Sequence, residues 1–157
     1  MSDGEAFSRV KIDARLTEAG WTLTDGRSVR YEYTLPEGTR ADYVLCDRDG
    51  RAMAVAEAKK ASIDPVEAER QALAYARQLD VPFIFLADGS EVWFREHGRE
   101  AHPRRIETFY SQEDLERRIA TLATRIGQCL DYNRCGDSRR RPGGEFAAPS
   151  PSCLGGR

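Results

Sequence analysis

Glu57-Ala58-Lys59 sets a carboxylate and an ammonium two residues apart at the end of an apolar run, Met53-Ala54-Val55-Ala56. Both faces of that run are apolar, which predicts a strand covered on both sides until its charged end. Side chains two apart in a strand share a face, so Glu57 and Lys59 project together. Burying such a pair without a ligand or a further partner is costly, because desolvation outweighs the attraction between the two charges. The pair therefore calls for a third participant.

A second carboxylate lies upstream. Arg40-Ala41-Asp42-Tyr43-Val44-Leu45-Cys46 is strand-like, and Asp47-Arg48-Asp49-Gly50 is a turn signal that joins it to the Glu57 strand as a hairpin. With Asp49-Gly50 as the loop, Asp42 faces Glu57; with Arg48-Asp49 as the loop, Asp42 faces Val55. Either way Asp42 falls on the Glu57/Lys59 face, and only an odd-length loop or a bulge would move it off. Opposed Cβ atoms lie about 5 Å apart and diagonal ones about 7 Å. Two carboxylates at that separation can share one hard cation such as Mg²⁺, with the lysine beside it.

These residues, with Gly38-Thr39-Arg40-Ala41-Asp42-Tyr43-Val44-Leu45, Ala56-Glu57-Ala58-Lys59-Lys60, Gln71-Ala72-Leu73-Ala74-Tyr75-Ala76 and Val81-Pro82-Phe83-Ile84-Phe85-Leu86, resemble the PD-(D/E)xK nuclease superfamily. Within it the ordered set is most similar to the N-terminal nuclease domain of the type I restriction enzyme R subunit, over roughly Glu5 to Leu115. The proline that precedes the aspartate in that superfamily is Ala41 here. The resemblance implies a restriction-endonuclease-like α/β fold, a mixed central sheet flanked by helices. It implies an Mg²⁺-dependent endonuclease hydrolysing DNA phosphodiesters, with Asp42, Glu57 and Lys59 catalytic and Asp42 and Glu57 on the metal. Gln71 and Tyr75, four apart and so on one helix face, would support the site. Glu5 would complete the metal shell from the first helix, or serve only as a capping residue. DNA is the expected partner, with specificity, modification and helicase components of a restriction system beside it.

Around the hairpin, a first helix starts at Ser2 or Asp3, carries Phe7, Val10, Ile12, Ala14, Leu16 and Ala19, and stops at Gly20. Trp21–Leu23 and Val29–Tyr33 are expected as short strands. Asp64-Pro65-Val66-Glu67 opens a second helix that should run to about Leu79. Val81–Leu86 and Glu91–Arg95 follow as strands, and the helical crossover from Lys59 to Val81 makes the Glu57 and Val81 strands parallel. A last helix runs from a Ser111 cap to about Ile126. The domain is expected over 1–132, and 133–157, rich in Arg, Pro and Gly, as a flexible tail.

The 157 residues suffice for one core, and a formal charge of −2 leaves DNA binding to local basic surface and to metal bridging. Lys60 and the Arg134–Arg141 run could touch phosphates or be plain solvated charge. No Gly-x-x-x-x-Gly-Lys-Ser/Thr loop is present, so no ATP site is expected. Cys46, Cys129, Cys135 and Cys153 lack metal-ligand spacing and are expected as free thiols, and a cytoplasmic location follows by default from the missing span and signal patterns. Two other function classes fit the same residues: a catalytically inactive DNA- or protein-docking module of the same fold, and an RNA nuclease. Metal and lysine address only a phosphate and do not separate DNA from RNA.

Overall fold

The computed structural model describes the backbone of residues 3–59 and 65–135, with side chains described within 6–59 and 66–125. In chain order the elements are α1 (Asp3–Glu18), β1 (Val29–Thr34), β2 (Arg40–Cys46), β3 (Ala52–Ala58), α2 (Pro65–Gln78), β4 (Phe83–Ala87), β5 (Val92–Glu96), β6 (Arg104–Ile106) and α3 (Gln112–Cys135). The strands form one six-stranded sheet in the order β1-β2-β3-β4-β5-β6. Neighbours are antiparallel except β3 and β4, which run parallel because the chain crosses between them through α2. This is the mixed sheet expected from the order of apolar runs.

Alternation sorts the core onto two faces. Val44, Val55, Ile84 and Leu86 pack with Ala72, Tyr75 and Ala76 of α2. The opposite face carries Phe83, Phe85 and Phe94, and Phe85 meets Phe109 at 5.1 Å between ring centroids while Phe94 meets Tyr110 at 4.9 Å. Among the described side chains of α1, Ile12 and Leu16 are the buried ones. Phe7 and Val10, expected on the apolar stripe, are 63% and 65% exposed, since a stripe set by Ile12 and Leu16 leaves them on another side of the helix.

Both α1 and α2 end in a Schellman motif. Trp21 N–H reaches Leu16 O and Gly20 N–H reaches Thr17 O after α1, with Gly20 at φ 88°. After α2, Val81 N–H reaches Ala76 O and Asp80 N–H reaches Arg77 O, but here the left-handed residue is Asp80, at φ 52°. Asp80→Gly should therefore raise stability by about 0.5 kcal/mol, and the β-branched Asp80→Val lower it by about 1 kcal/mol or more. Chemical denaturation of the two variants checks the opposite signs.

Three expectations are corrected. Trp21–Leu23 forms no strand: Trp21 closes the α1 cap and is buried, its indole N–H donating to Tyr110 O at 2.9 Å, so its bulk serves packing. Strand β6 was not expected, because Arg104-Arg105-Ile106 has neither length nor alternation and is a strand only by pairing with β5. Helix α3 continues past Ile126 to Cys135, three residues into the predicted tail. It starts as expected, with Ser111 Oγ accepting from Asp114 N–H. Among the described residues, those up to Thr121 form one compact unit and those from Leu122 onward belong to a second. The rest of the predicted tail, with Arg139–Arg141 and Cys153, lies outside the described residues, as do Lys60 and the Asp64 cap. Among the described residues no helix is long and apolar enough to cross a membrane.

Candidate active site

The β2–β3 hairpin brings the two carboxylates together by two irregularities that offset each other. Its loop has an odd length, Arg48-Asp49-Gly50: Asp47 N–H donates to Arg51 O, and the Asp47 carboxylate accepts from the Asp49 and Arg51 amides. Gly50 stands at φ 81°, a conformation glycine enters without Cβ strain. Alone, that loop would turn Asp42 onto the wrong face. A register shift follows, however: Cys46 faces Ala52 and Leu45 faces Ala54, leaving Met53 as an extra residue. Parity is restored, Tyr43 faces Ala56, and Asp42 stands opposite Glu57.

Reciprocal hydrogen bonds fix the pair. Glu57 Oε1 accepts from the Asp42 amide at 3.1 Å, and Asp42 Oδ2 accepts from the Ala58 amide at 2.9 Å. Glu57 is only 8% exposed. Burial, and then the Asp42 charge beside it, push the Glu57 carboxyl up to about 8. Such a carboxylate ionises more readily once a cation is supplied.

The register extends the row to β1. Tyr31 faces Tyr43 and Tyr33 faces Ala41, which leaves Glu32 beside Asp42. Like charges abreast on neighbouring strands are destabilising. A guanidinium answers them: Arg9 of α1 donates from Nη2 to Asp42 Oδ1 at 2.6 Å and from Nη1 to Glu32 Oε1 at 3.1 Å. One turn on, Asp13 accepts from the Tyr43 hydroxyl at 3.1 Å, and burial raises its carboxyl from its ordinary value.

Lys59 follows Glu57 at the end of β3, its amide donating to Ala87 O of the parallel neighbour β4. Its ammonium lies 4.5 Å from the centroid of the Trp93 ring on β5. Among the described residues no ion pair joins it to Asp42 or Glu57, so it shares their end of the strand without yet touching them. Tyr75 is buried in the cluster that contains Val55, and its hydroxyl accepts from Gln71 Nε2 at 2.7 Å. Gln71 is exposed, and the bond described for its side chain goes to Tyr75. Glu5 lies one helical turn before Arg9 in α1, with its side chain outside the described residues.

The sequence pattern brought no role to Arg9, Asp13, Glu32 or Trp93. Two signals bear on them: Glu5, Arg9 and Asp13 recur every fourth residue on α1, and Glu32 alternates with Tyr31 and Tyr33 toward the face of Asp42.

Two opposed carboxylates form an oxygen donor set suited to a hard divalent cation, which commonly binds through one or two carboxylates and keeps several waters. Glu57, buried and in no ion pair among the described residues, fits that group. Among the described residues no cluster of three or more His, Cys, Asp and Glu side chains is placed to hold a metal.

No protein-family model and no curated protein matches the chain. Among solved structures it is similar to a fragment described as an HsdR subunit of a type I restriction enzyme from Vibrio vulnificus YJ016, with TM-score 0.64 and 26% identity. That similarity covers 77% of this chain and 26% of the other, so the chain spans about a quarter of its length. A cryoEM structure of a DrdV–DNA complex matches at TM-score 0.42 and 19% identity over 65% of this chain and 10% of that one, too distant to bear on function. The six-stranded mixed sheet with three helices is consistent with the restriction-endonuclease-like fold.

Proposed function

We propose that this chain is an Mg²⁺-dependent endonuclease of the PD-(D/E)xK type that hydrolyses DNA phosphodiester bonds within a type I restriction system. The observation that carries the reading is the opposition of Asp42 and Glu57, with Lys59 two residues on at the C-terminal end of β3. In sheets with a parallel crossover, ligands gather at the carboxyl ends of the strands, where Glu57 and Lys59 lie. Similarity to the HsdR fragment supports the restriction context.

Asp42 and Glu57 would hold the cation, with the Ala58 carbonyl able to add a ligand. When bound, Mg²⁺ supplies Lewis-acid polarisation of a phosphate oxygen and lowers the pKa of a coordinated water. Lys59 leaves the Trp93 face to hydrogen-bond the attacking water and to offset charge growing on the phosphoryl oxygens. Tyr75 and the α2 face hold β3 rigid beneath the reacting groups. Strand delivery and sequence recognition would come from specificity, modification and helicase components, so the isolated chain should cut slowly and without sequence preference.

Plasmid nicking by the purified chain tests this directly. Nicking in Mg²⁺ that stops with chelator and is lost in Asp42→Asn is the expected result. Equal nicking by the wild type with chelator, or by Asp42→Asn, would refute the metal-carboxylate reading.

A further inference from the structure

The Arg9 guanidinium does at Asp42 what a bound cation would do, and its surroundings mark it as an occupant that can be exchanged. It spans Glu32 and Asp42, two members of a row of acidic residues that runs across β1, β2 and β3 and ends in Glu57. Its side chain is 23% exposed and that of Asp42 is 20%, so the 2.6 Å pair is only partly open to water and screening is weak.

Two details set it apart from a settled structural ion pair. Among the described residues Arg9 Nε is buried with no hydrogen-bond partner, whereas most buried side-chain polar atoms have at least one. Glu32, which holds the other terminal nitrogen, sits at φ 44°, in the left-handed region that non-glycine residues seldom enter. Backbone strain is thus spent on keeping a carboxylate beside Arg9 on the side away from Glu57.

We propose that Arg9 is a built-in competitor for the Asp42 carboxylate, displaced when a divalent cation binds between Asp42 and Glu57, and retained by Glu32 once displaced. This rests on the metal-site reading above. A guanidinium and a divalent cation drawn to one carboxylate repel each other, so each lowers the affinity of the other at Asp42. Arg9 would keep the acidic row neutralised while no cation is present and set the concentration at which the site loads. The cation would then release Asp42 from Arg9 without leaving Glu32 unpaired, since the Nη1 contact is separate from the Nη2 contact.

Calorimetric titration with Mg²⁺ of the full chain, Arg9→Met and Asp42→Asn gives the test. Arg9→Met keeps an unbranched apolar stem, shorter than arginine, and removes the charged guanidinium. Competition predicts Mg²⁺ affinity at least about tenfold tighter in Arg9→Met, a change of about 1.4 kcal/mol. Affinity unchanged or weaker in Arg9→Met, with the wild type binding and Asp42→Asn not, would overturn the proposal alone and leave Arg9 as a fixed support for Asp42. A wild type that takes up no Mg²⁺ would instead overturn the metal site itself. Should Arg9→Met not fold, ¹⁵N NMR of the wild-type arginine Nε–H groups gives the same answer. Displacement moves the Arg9 signal as Mg²⁺ saturates the site, and a stationary signal under saturating Mg²⁺ contradicts it.

Discussion

Lys59→Ala should abolish phosphodiester cleavage while leaving Mg²⁺ affinity and the fold in place. Its ammonium rests on the Trp93 ring, at the end of β3 and outside the reciprocal Asp42–Glu57 hydrogen bonds. Removing a partly buried cation from an aromatic face costs about 1 kcal/mol, a small part of a domain's stability. Losing one preorganised donor to developing charge costs about 10²–10³ in rate. Chemistry should therefore fall far more than stability. Glu57→Ala should differ in kind: it removes a proposed metal carboxylate, so calorimetry should register lost Mg²⁺ binding together with lost nicking. Nicking by Lys59→Ala at the wild-type rate would remove the lysine from the reaction, and Mg²⁺ affinity preserved in Glu57→Ala would remove that carboxylate from the metal.

The strand-borne part of this site was legible in the sequence because it depends on local periodicity. Glu57 and Lys59 share a face by spacing, and Asp42 joins them by the parity of one hairpin. The detail of that hairpin was not legible: its odd loop and its bulge at Met53 each break parity, and only their combination preserves the face. A bulge reflects how two strands fit together, and Met53 looks like any other apolar strand residue. Topology followed from the same short-range signals, since a helix between two apolar runs forces the parallel β3–β4 pair.

Arg9 and Glu32 are a different case. They meet across 23 residues, and Arg9 meets Asp42 across 33, from a helix whose amphipathic pattern was imperfect. A charged residue early in a helix has many ordinary uses, and nothing within its own turn marks it as the partner of a strand carboxylate. Trp93 is similar: its apolar alternation in β5 predicts a strand position, whereas its role as the resting place of Lys59 comes from the order of β3, β4 and β5 in the sheet. Such contacts are fixed by tertiary placement, which short-range pattern does not encode.

Metal-free protein should lose stability as pH rises from about 5 to 9, a trend that Glu57→Gln should largely remove. Burial, then the neighbouring Asp42, raise the folded Glu57 carboxyl to about 8 from an ordinary value of 4.5. Where the folded value lies above the unfolded one, the fold binds the proton more tightly. The contribution is fully present below the unfolded value and is lost as pH climbs through the folded one. At about 1.4 kcal/mol per pH unit between the two values, the loss is on the order of 4 kcal/mol. Asp13, also raised by burial, adds to the same trend. In Glu57→Gln position 57 carries no ionisable proton, the Asp42 amide keeps an acceptor, and the remaining slope should be shallow. Urea midpoints in chelator at pH 5, 7 and 9 measure both curves. Parallel curves for wild type and variant would mean that Glu57 ionises in the fold as it does in the unfolded chain. Added Mg²⁺ should flatten the wild-type curve above pH 7, because a cation held by Asp42 and Glu57 favours the ionised carboxylate that burial alone opposes.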